Sequence, residues 1–389
     1  MKWFRVPRDI VFGWGSLEYL KGLKGSRAII VTDPGLVAAG VVDQVAAYLK
    51  EAGLETTVFS ECEPDPPRGV VEKGAQVMKE FGPDWIIGVG GGSAIDAAKV
   101  MWMFYEYPDM TWDQAFEIFN VPPLRNKAKF IAVATTSGTG SEVTCAAVIT
   151  NKEVTPTFKQ VVASFEITPD IAVTDPELAS KMPPMVTAAT GMDALVHAIE
   201  SFTSIAASEV DKALDVRAIK LLFRSLPKAV ADGRNQVARE DVSTASLMAA
   251  MAFTNSFLGI VHSLAHQLGT QYGLPHGMAN SIMLPYVVRF NSVAAGELYE
   301  EIANELKLDY SNTRDAVTKF IEAIYQLQQD TGLPHTIKEA GVDEKAFEAD
   351  LDNLAANAMN DICVFNNPRV PTIEDMKKLY RAAFNTMAQ

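Results

Sequence analysis

The chain has 389 residues, 48% hydrophobic and 21% charged, a globular composition long enough for two or three domains. Its 34 basic and 48 acidic residues leave a formal net charge of −14, a surface that repels phosphate backbones and argues against nucleic-acid binding. Cys62, Cys145 and Cys363 are too widely spaced for a disulfide framework or a cysteine zinc site, no apolar run reaches the ~18 residues of a membrane span, and Met1–Pro7 lacks a signal-peptide core, so a cytoplasmic protein with no membrane partner is expected.

The first 180 residues alternate strand-like and helix-like stretches. Arg27–Thr32, the first strand on this reading, ends at Asp33-Pro34-Gly35. A carboxylate at such an edge can accept hydrogen bonds from a ribose diol and would repel a 2′-phosphate, or it can simply cap the following helix. A helical pattern over Val37–Ala52 follows, then a strand at Thr57–Ser60 and a helix over Arg68–Phe81. The strand Trp85–Val89 runs into Gly90-Gly91-Gly92-Ser93 and a further helix. A glycine turn opening a helix aims free N–H groups outward and suits a pyrophosphate, although a tight turn would look the same. Phe130–Ala134 leads into a second polar turn, Thr135 to Glu142, at another strand's carboxyl edge. Alternation of this kind predicts a parallel sheet with helices on both faces.

Beyond Pro183-Pro184 the strand-like runs largely stop. Helical patterns cover the segment around Met192–Ile199 and roughly 209–224, 240–270, 277–290, 296–307 and 313–330, and Thr372–Asp375 resembles a capping box opening a last helix. The expectation is an α/β domain over 1–180 and an all-helical domain over 181–389, with a ligand cleft between them.

Only five histidines occur, and four of them fall in a pattern. Asp193 and His197 are spaced i, i+4 and project from one helix face, as do His262 and His266. Gly269 and Gly273 are expected to break that helix before Pro275-His276-Gly277 presents another imidazole. Imidazole nitrogens with a carboxylate oxygen suit a borderline ion such as Fe²⁺ or Zn²⁺. Spacing alone leaves His262 and His266 interchangeable as ligands.

At these residues the chain resembles the iron-containing (group III) alcohol dehydrogenases, whose fold is dehydroquinate synthase-like. The likeness runs through GGGSAIDAAK (90–99), TTSGTGSEVT (135–144), GMDALVHAIES (191–201), FTNSFLGIVHSLAHQLG (253–269) and GLPHGMAN (273–280). Through EPDPP (63–67) and TSGTGSEVT it is similar in particular to the alcohol dehydrogenase half of bifunctional aldehyde–alcohol dehydrogenases, and its length suggests a stand-alone enzyme. The resemblance implies an NAD-linked enzyme, with NADP less favoured, that interconverts primary alcohols and aldehydes. It implies Asp193, His197, His262 and His276 as metal ligands and His266 as a catalytic, non-ligating residue that relays a proton. Asp33, Asp65, Gly91, Gly92, Ser93, Thr135, Thr136, Thr139 and Lys159 would bind the dinucleotide, Asp65 standing where many relatives have Asn. Cys145, Ala146, Phe253, Phe257 and Leu258 would line the substrate pocket, Phe257 being bulky where other members have Gly. Asn366-Asn367-Pro368-Arg369 matches a motif that borders the cleft. A homodimer or larger homo-oligomer is expected. Glycerol dehydrogenase- or dehydroquinate synthase-like chemistry, a metallohydrolase and a non-catalytic binding protein are the alternatives. No Lys or Arg cluster around the metal motifs favours the synthase.

Overall fold

The computed structural model describes residues 3–152 and 158–385. The chain forms two compact units, Phe4–Lys181 and Met182–Gln389 with Met1–Trp3.

The first unit contains β1 (Asp9–Phe12), β2 (Arg27–Val31), α1 (Pro34–Ala38), α2 (Val41–Glu51), β3 (Glu55–Phe59), α3 (Arg68–Phe81), β4 (Trp85–Gly90), α4 (Gly92–Glu106), α5 (Trp112–Ala115), β5 (Lys129–Ala134), β6 (Ala146–Asn151), β7 (Phe158–Ala163), β8 (Ile171–Thr174) and α6 (Pro176–Ser180). Six strands form one sheet in the order β1-β8-β5-β4-β2-β3, every pair parallel, and β6 and β7 form a separate antiparallel pair. The apolar runs bury both faces with period two. Ile29, Val31, Ile86, Phe130 and Ala132 join one core, while Ala28, Ile30, Ile87, Ile131 and Val133 join the other. From β2 the chain goes outward to β3 and then returns to place β4 on β2's other side. The crossover direction therefore reverses between β2 and β4, and the carboxyl ends of these strands flank the crevice where open α/β sheets bind ligands.

Two details depart from the sequence reading. β1 precedes Arg27–Val31, which is thus the second strand; β1 has only four residues and finds its place by pairing with the distant β8. The single helix expected over Val37–Ala52 is two, because Gly40 is left-handed (φ 73°) and restarts the chain as the N-cap of α2.

The second unit is helical: α7 (Pro184–Thr203), α8 (Glu209–Ala231), α9 (Gln236–Ser256), α10 (Ile260–Tyr272), α11 (His276–Glu305), α12 (Thr313–Thr331), α13 (Glu344–Met359) and α14 (Ile373–Asn385). One large apolar core runs through it, with α7 among its most deeply buried elements. The helix expected over 240–270 is interrupted. Phe257 adopts φ 64°, ψ −175°, a region that side-chain-bearing residues rarely visit, and the axes of α9 and α10 differ by 106°. Gly269 does not end α10; the left-handed Gly273 does. The helices expected at 277–290 and 296–307 are both present within α11, separated by a kink where Ala295 leaves helical geometry (φ −123°, ψ 22°), and α13 carries no expectation from the sequence. Thr372 and Asp375 exchange the expected capping bonds, Asp375 N donating to Thr372 Oγ1 at 3.1 Å and Thr372 N to Asp375 Oδ2 at 3.0 Å. No single helix among the described residues is long and apolar enough to cross a membrane.

Candidate metal centre and dinucleotide cradle

Most of α7 is buried and apolar, yet it carries three ionisable groups at i, i+4 and i+7: Asp193, His197 and Glu200. That spacing places them on one face. Asp193 Oδ1 lies 3.9 Å from His197 Nε2, 3.7 Å from His262 Nε2 on α10 and 3.5 Å from His276 Nε2 at the start of α11. Metal bonds of about 2.1 Å in a tetrahedron separate neighbouring donors by about 3.4 Å, so the carboxylate and imidazoles are close to coordination distance. Asp193, His262 and His276 form the tightest trio, with donor atoms all within 4.8 Å of one another. His197 stands at its edge, stacked on His262 at 4.7 Å and on Phe253 at 4.3 Å. Asn280 completes the wall: its Nδ2 donates to Asp193 Oδ1 at 2.7 Å, while its Oδ1 is buried without a hydrogen-bond partner. Buried acceptors converging in this way fit a divalent cation.

The charges respond accordingly. Burial pulls the Asp193 carboxyl upward, but His197, His276 and His262 outweigh it and hold the group well below the ordinary range. Burial alone would keep His262 neutral, yet Glu200 and Asp193 overcome it and raise the imidazole to about 9.

Sequence reasoning missed Glu200, although a third ionisable residue on an apolar helix was the available signal. Glu200 Oε2 lies 2.5 Å from His262 Nδ1, and Oε1 accepts from Val261 N at 2.6 Å. One carboxylate thus fixes both the ring and the backbone that carries it, turning Nε2 toward Asp193. Gly259 makes room, since a Cβ there would meet Glu200 Oε1 at 2.9 Å and Asn367 Oδ1 at 2.8 Å. Asn367, from the expected Asn-Asn-Pro-Arg motif, accepts from Ile260 N at 3.3 Å and exchanges side-chain bonds with Asn291. That motif therefore anchors the start of α10. Glu200→Gln is expected to weaken metal affinity about 10–100-fold in a competitive chelator titration, because an outer carboxylate orients and polarises the ligand imidazole.

His266 shares a helix face with His262 but turns elsewhere. Its Nδ1 lies 2.7 Å from Asp361 Oδ2, and its ring stacks on His276 at 5.3 Å. Asp361 is a second residue that sequence reasoning did not single out. Of the expected pocket residues in this unit, Phe253 covers His197, while Phe257 and Leu258 occupy the partly exposed break between α9 and α10.

In the α/β unit the two polar turns meet. A Cβ on Gly91 would lie 3.2 Å from Thr136 Cγ2, and one on Gly92 3.1 Å from Thr139 Cγ2. Thr135 N donates to Gly90 O at 3.0 Å. Gly91 is the N-cap of α4 and supplies no side-chain cap, so the amides of the first turn, Ser93 among them, are left for an anion. Asp33 stands beside them, 3.8 Å from where a Gly90 Cβ would be. Its Oδ1 caps α1 by accepting from Leu36 N at 3.0 Å, so the simple capping role is present. Lys159 and Asp65 form an ion pair at 2.7 Å, Asp65 with φ 53°.

Cys145 is buried and Ala146 opens β6. Their segment is pinned by α4, through residues the sequence reading did not single out. Lys99 Nζ donates to Thr144 O at 2.8 Å and Ala146 O at 2.9 Å, while Asp96 accepts from Ser141 Oγ at 2.5 Å and Val148 N at 2.8 Å. Burial pushes Lys99 down to about 8 despite Asp96, and pushes Glu142 up from 4.5 to about 7. A carboxyl raised on folding binds its proton more tightly in the native state, so its penalty is absent near pH 4 and grows as pH rises to 7. Glu142→Gln should therefore stabilise the protein at pH 8 by up to about 3 kcal/mol, and by little at pH 4, as read from denaturant midpoints at both.

Family models for iron-containing alcohol dehydrogenase match residues 7–176, and the C-terminal model of the same family matches residues 187–384. The chain belongs to the iron-containing alcohol dehydrogenase family. An NADPH-dependent butanol dehydrogenase of Clostridium saccharobutylicum is 45% identical to it over 98% of this chain and 97% of its own. A bifunctional aldehyde-alcohol dehydrogenase of Escherichia coli is 40% identical over 97% of this chain, which spans 46% of that protein. The solved structure of an alcohol dehydrogenase from Oenococcus oeni superposes with a TM-score of 0.93 at 37% identity, covering 99% of this chain and 100% of that one. In this alcohol dehydrogenase the parallel six-stranded sheet and the helical second unit are thus the family's architecture.

Proposed function

We propose that this alcohol dehydrogenase interconverts primary alcohols and aldehydes with NAD(H), around Fe²⁺ or Zn²⁺ held by Asp193, His197, His262 and His276. The observation that carries the reading is the convergence of three imidazoles, one from each of three helices, to 3.5–3.9 Å from one Asp193 carboxylate oxygen. When bound, the ion would supply Lewis acidity toward the alcohol oxygen, and the nicotinamide would supply the hydride acceptor.

The protein's own groups do the rest. Glu200 holds His262 through Nδ1, so that Nε2 faces Asp193 and would be available to the ion. Asp361 holds His266 through Nδ1, leaving Nε2 to accept the alcohol's proton and pass it toward solvent. Phe253, stacked on His197, supplies an apolar wall beside the ligands that helps exclude water. The Gly91, Gly92 and Ser93 turn binds the pyrophosphate, and Thr135, Thr136, Thr139, Asp65 and Lys159 hold the rest of the dinucleotide. Asp33 accepts from the adenosine ribose, and its charge disfavours a 2′-phosphate. That preference is a point of difference from the butanol dehydrogenase relative, which is NADPH-dependent by name.

Anaerobically prepared protein, assayed for metal and for absorbance at 340 nm with a panel of primary alcohols and aldehydes, tests the reading. Stoichiometric iron or zinc and faster turnover with NAD than with NADP are expected. Metal-free protein with undiminished turnover would overturn the assignment, and preference for NADP would overturn the role of Asp33. We also propose a cytoplasmic homo-oligomer, dimeric or larger, which light scattering would check; a monomer would refute it.

A further inference from the structure

Close to the four ligands lies a second set of donors of a different chemical kind. His266 comes from α10, and Asp361 and Cys363 from the turn that follows α13. One nitrogen, one carboxylate oxygen and the Cys363 sulfur all lie within 4.8 Å of one another. Asp361 organises the trio. Its Oδ2 lies 2.7 Å from His266 Nδ1, and its Oδ1 accepts from Cys363 N at 2.9 Å, which brings the thiol to the same side. The His266 and Asp361 side chains are 16% and 13% exposed, so solvent ions can reach them.

We propose that His266, Asp361 and Cys363 form a second, weaker site for a thiophilic divalent ion such as Zn²⁺ or Co²⁺. Nitrogen, oxygen and sulfur donors in a half-buried cluster select borderline and soft ions and disfavour Mg²⁺ and Ca²⁺, which take all-oxygen shells. Tetrahedral bonds of about 2.0–2.3 Å place neighbouring donors roughly 3.3–3.8 Å apart, a contraction that small side-chain rotations supply. Water completes the shell. Binding forms metal–nitrogen, metal–oxygen and metal–sulfur bonds and releases the Cys363 thiol proton to solvent, with no change of oxidation state. An ion held there also occupies His266, so excess zinc inhibits turnover. The inhibition rests on the proton role proposed for His266; the metal site does not.

Cobalt separates the two sites, because the Asp193 centre has no sulfur donor and cannot give a thiolate-to-cobalt charge-transfer band in the near ultraviolet. Enzyme loaded with one equivalent of zinc is titrated with Co²⁺, following that band and the bound stoichiometry. The expected result is a second equivalent that brings the band with it. Cys363→Ser should lose both while keeping the first equivalent, and Asp361→Asn should weaken the second equivalent at least ~10-fold. Retention of the first equivalent and an unchanged circular dichroism spectrum show that each variant is folded. Zinc inhibition should shift to higher concentration in Cys363→Ser in parallel with the band. A second equivalent without the band, no second equivalent at sub-millimolar cobalt, or a band that survives in Cys363→Ser would each overturn the site. A band with no loss of turnover would leave the site standing and overturn the role of His266.

Discussion

His262→Ala is expected to remove the metal and alcohol oxidation together, with kcat/KM falling at least ~1000-fold, since Lewis-acid stabilisation contributes several kcal/mol. Three observations make this residue the most exposed to substitution. Its Nε2 is 3.7 Å from Asp193 Oδ1, its Nδ1 is held by Glu200, and its ring stacks on His197 and lies tilted beside His276. Alanine would remove one donor and leave Glu200 Oε2 buried without its imidazole partner. Elemental analysis and initial rates on the same preparation check the expectation. Stoichiometric metal with wild-type turnover would be fatal to the ligand assignment.

Gly277→Ala is expected to be nearly as damaging without touching a ligand. A Cβ on Gly277 would lie 2.0 Å from Ala189 O and 2.6 Å from its carbonyl carbon, both main-chain atoms of α7, and 3.2 Å from Asp193 Cβ. Main chain cannot swing aside as a side-chain tip does, so α11 must retreat from α7. His276 sits one residue before and would move with it, opening the shortest of the imidazole–Asp193 distances, 3.5 Å. Overpacking against a buried helix costs about 3 kcal/mol or more, which lowers the melting temperature of a unit of this size by roughly 6–12 °C. Metal affinity should fall in the same variant. Normal melting and normal affinity would mean that the two helices are less closely packed than this.

Much of the architecture is legible because it follows from local pattern. The buried strands at Arg27, Trp85 and Phe130 read as apolar runs ending in turn residues, and Arg68–Phe81 has the expected bounds. What escapes depends on distant partners. β1 becomes a strand by pairing with β8, far along the chain, and the break at Phe257 places an aromatic residue where propensity would never put one. The same division runs through the site. Asp193, His197, His276 and the α10 pair His262 and His266 can be picked out by type and spacing, but spacing could not say which imidazole of α10 faces the carboxylate. That choice depends on Glu200 and Asp361, each drawing one ring toward itself. The glycine and threonine turns were visible as separate motifs; their contact, Gly91 against Thr136 and Gly92 against Thr139, is a property of adjacent strands in the folded sheet.

The proposed metal ligands come from α7, α10 and α11, so an ion bound by them would tie three helices of one core to a single point. An ion that binds the folded chain and not the unfolded one stabilises it by mass action, about 4 kcal/mol when free metal exceeds its dissociation constant a thousandfold. The metal is then a thermodynamic staple as well as a reagent, and the heat resistance of the helical unit becomes a gauge of its loading. Protein made under metal starvation would be not merely inactive but easier to unfold, and chelation would act as a denaturant of one half of the molecule.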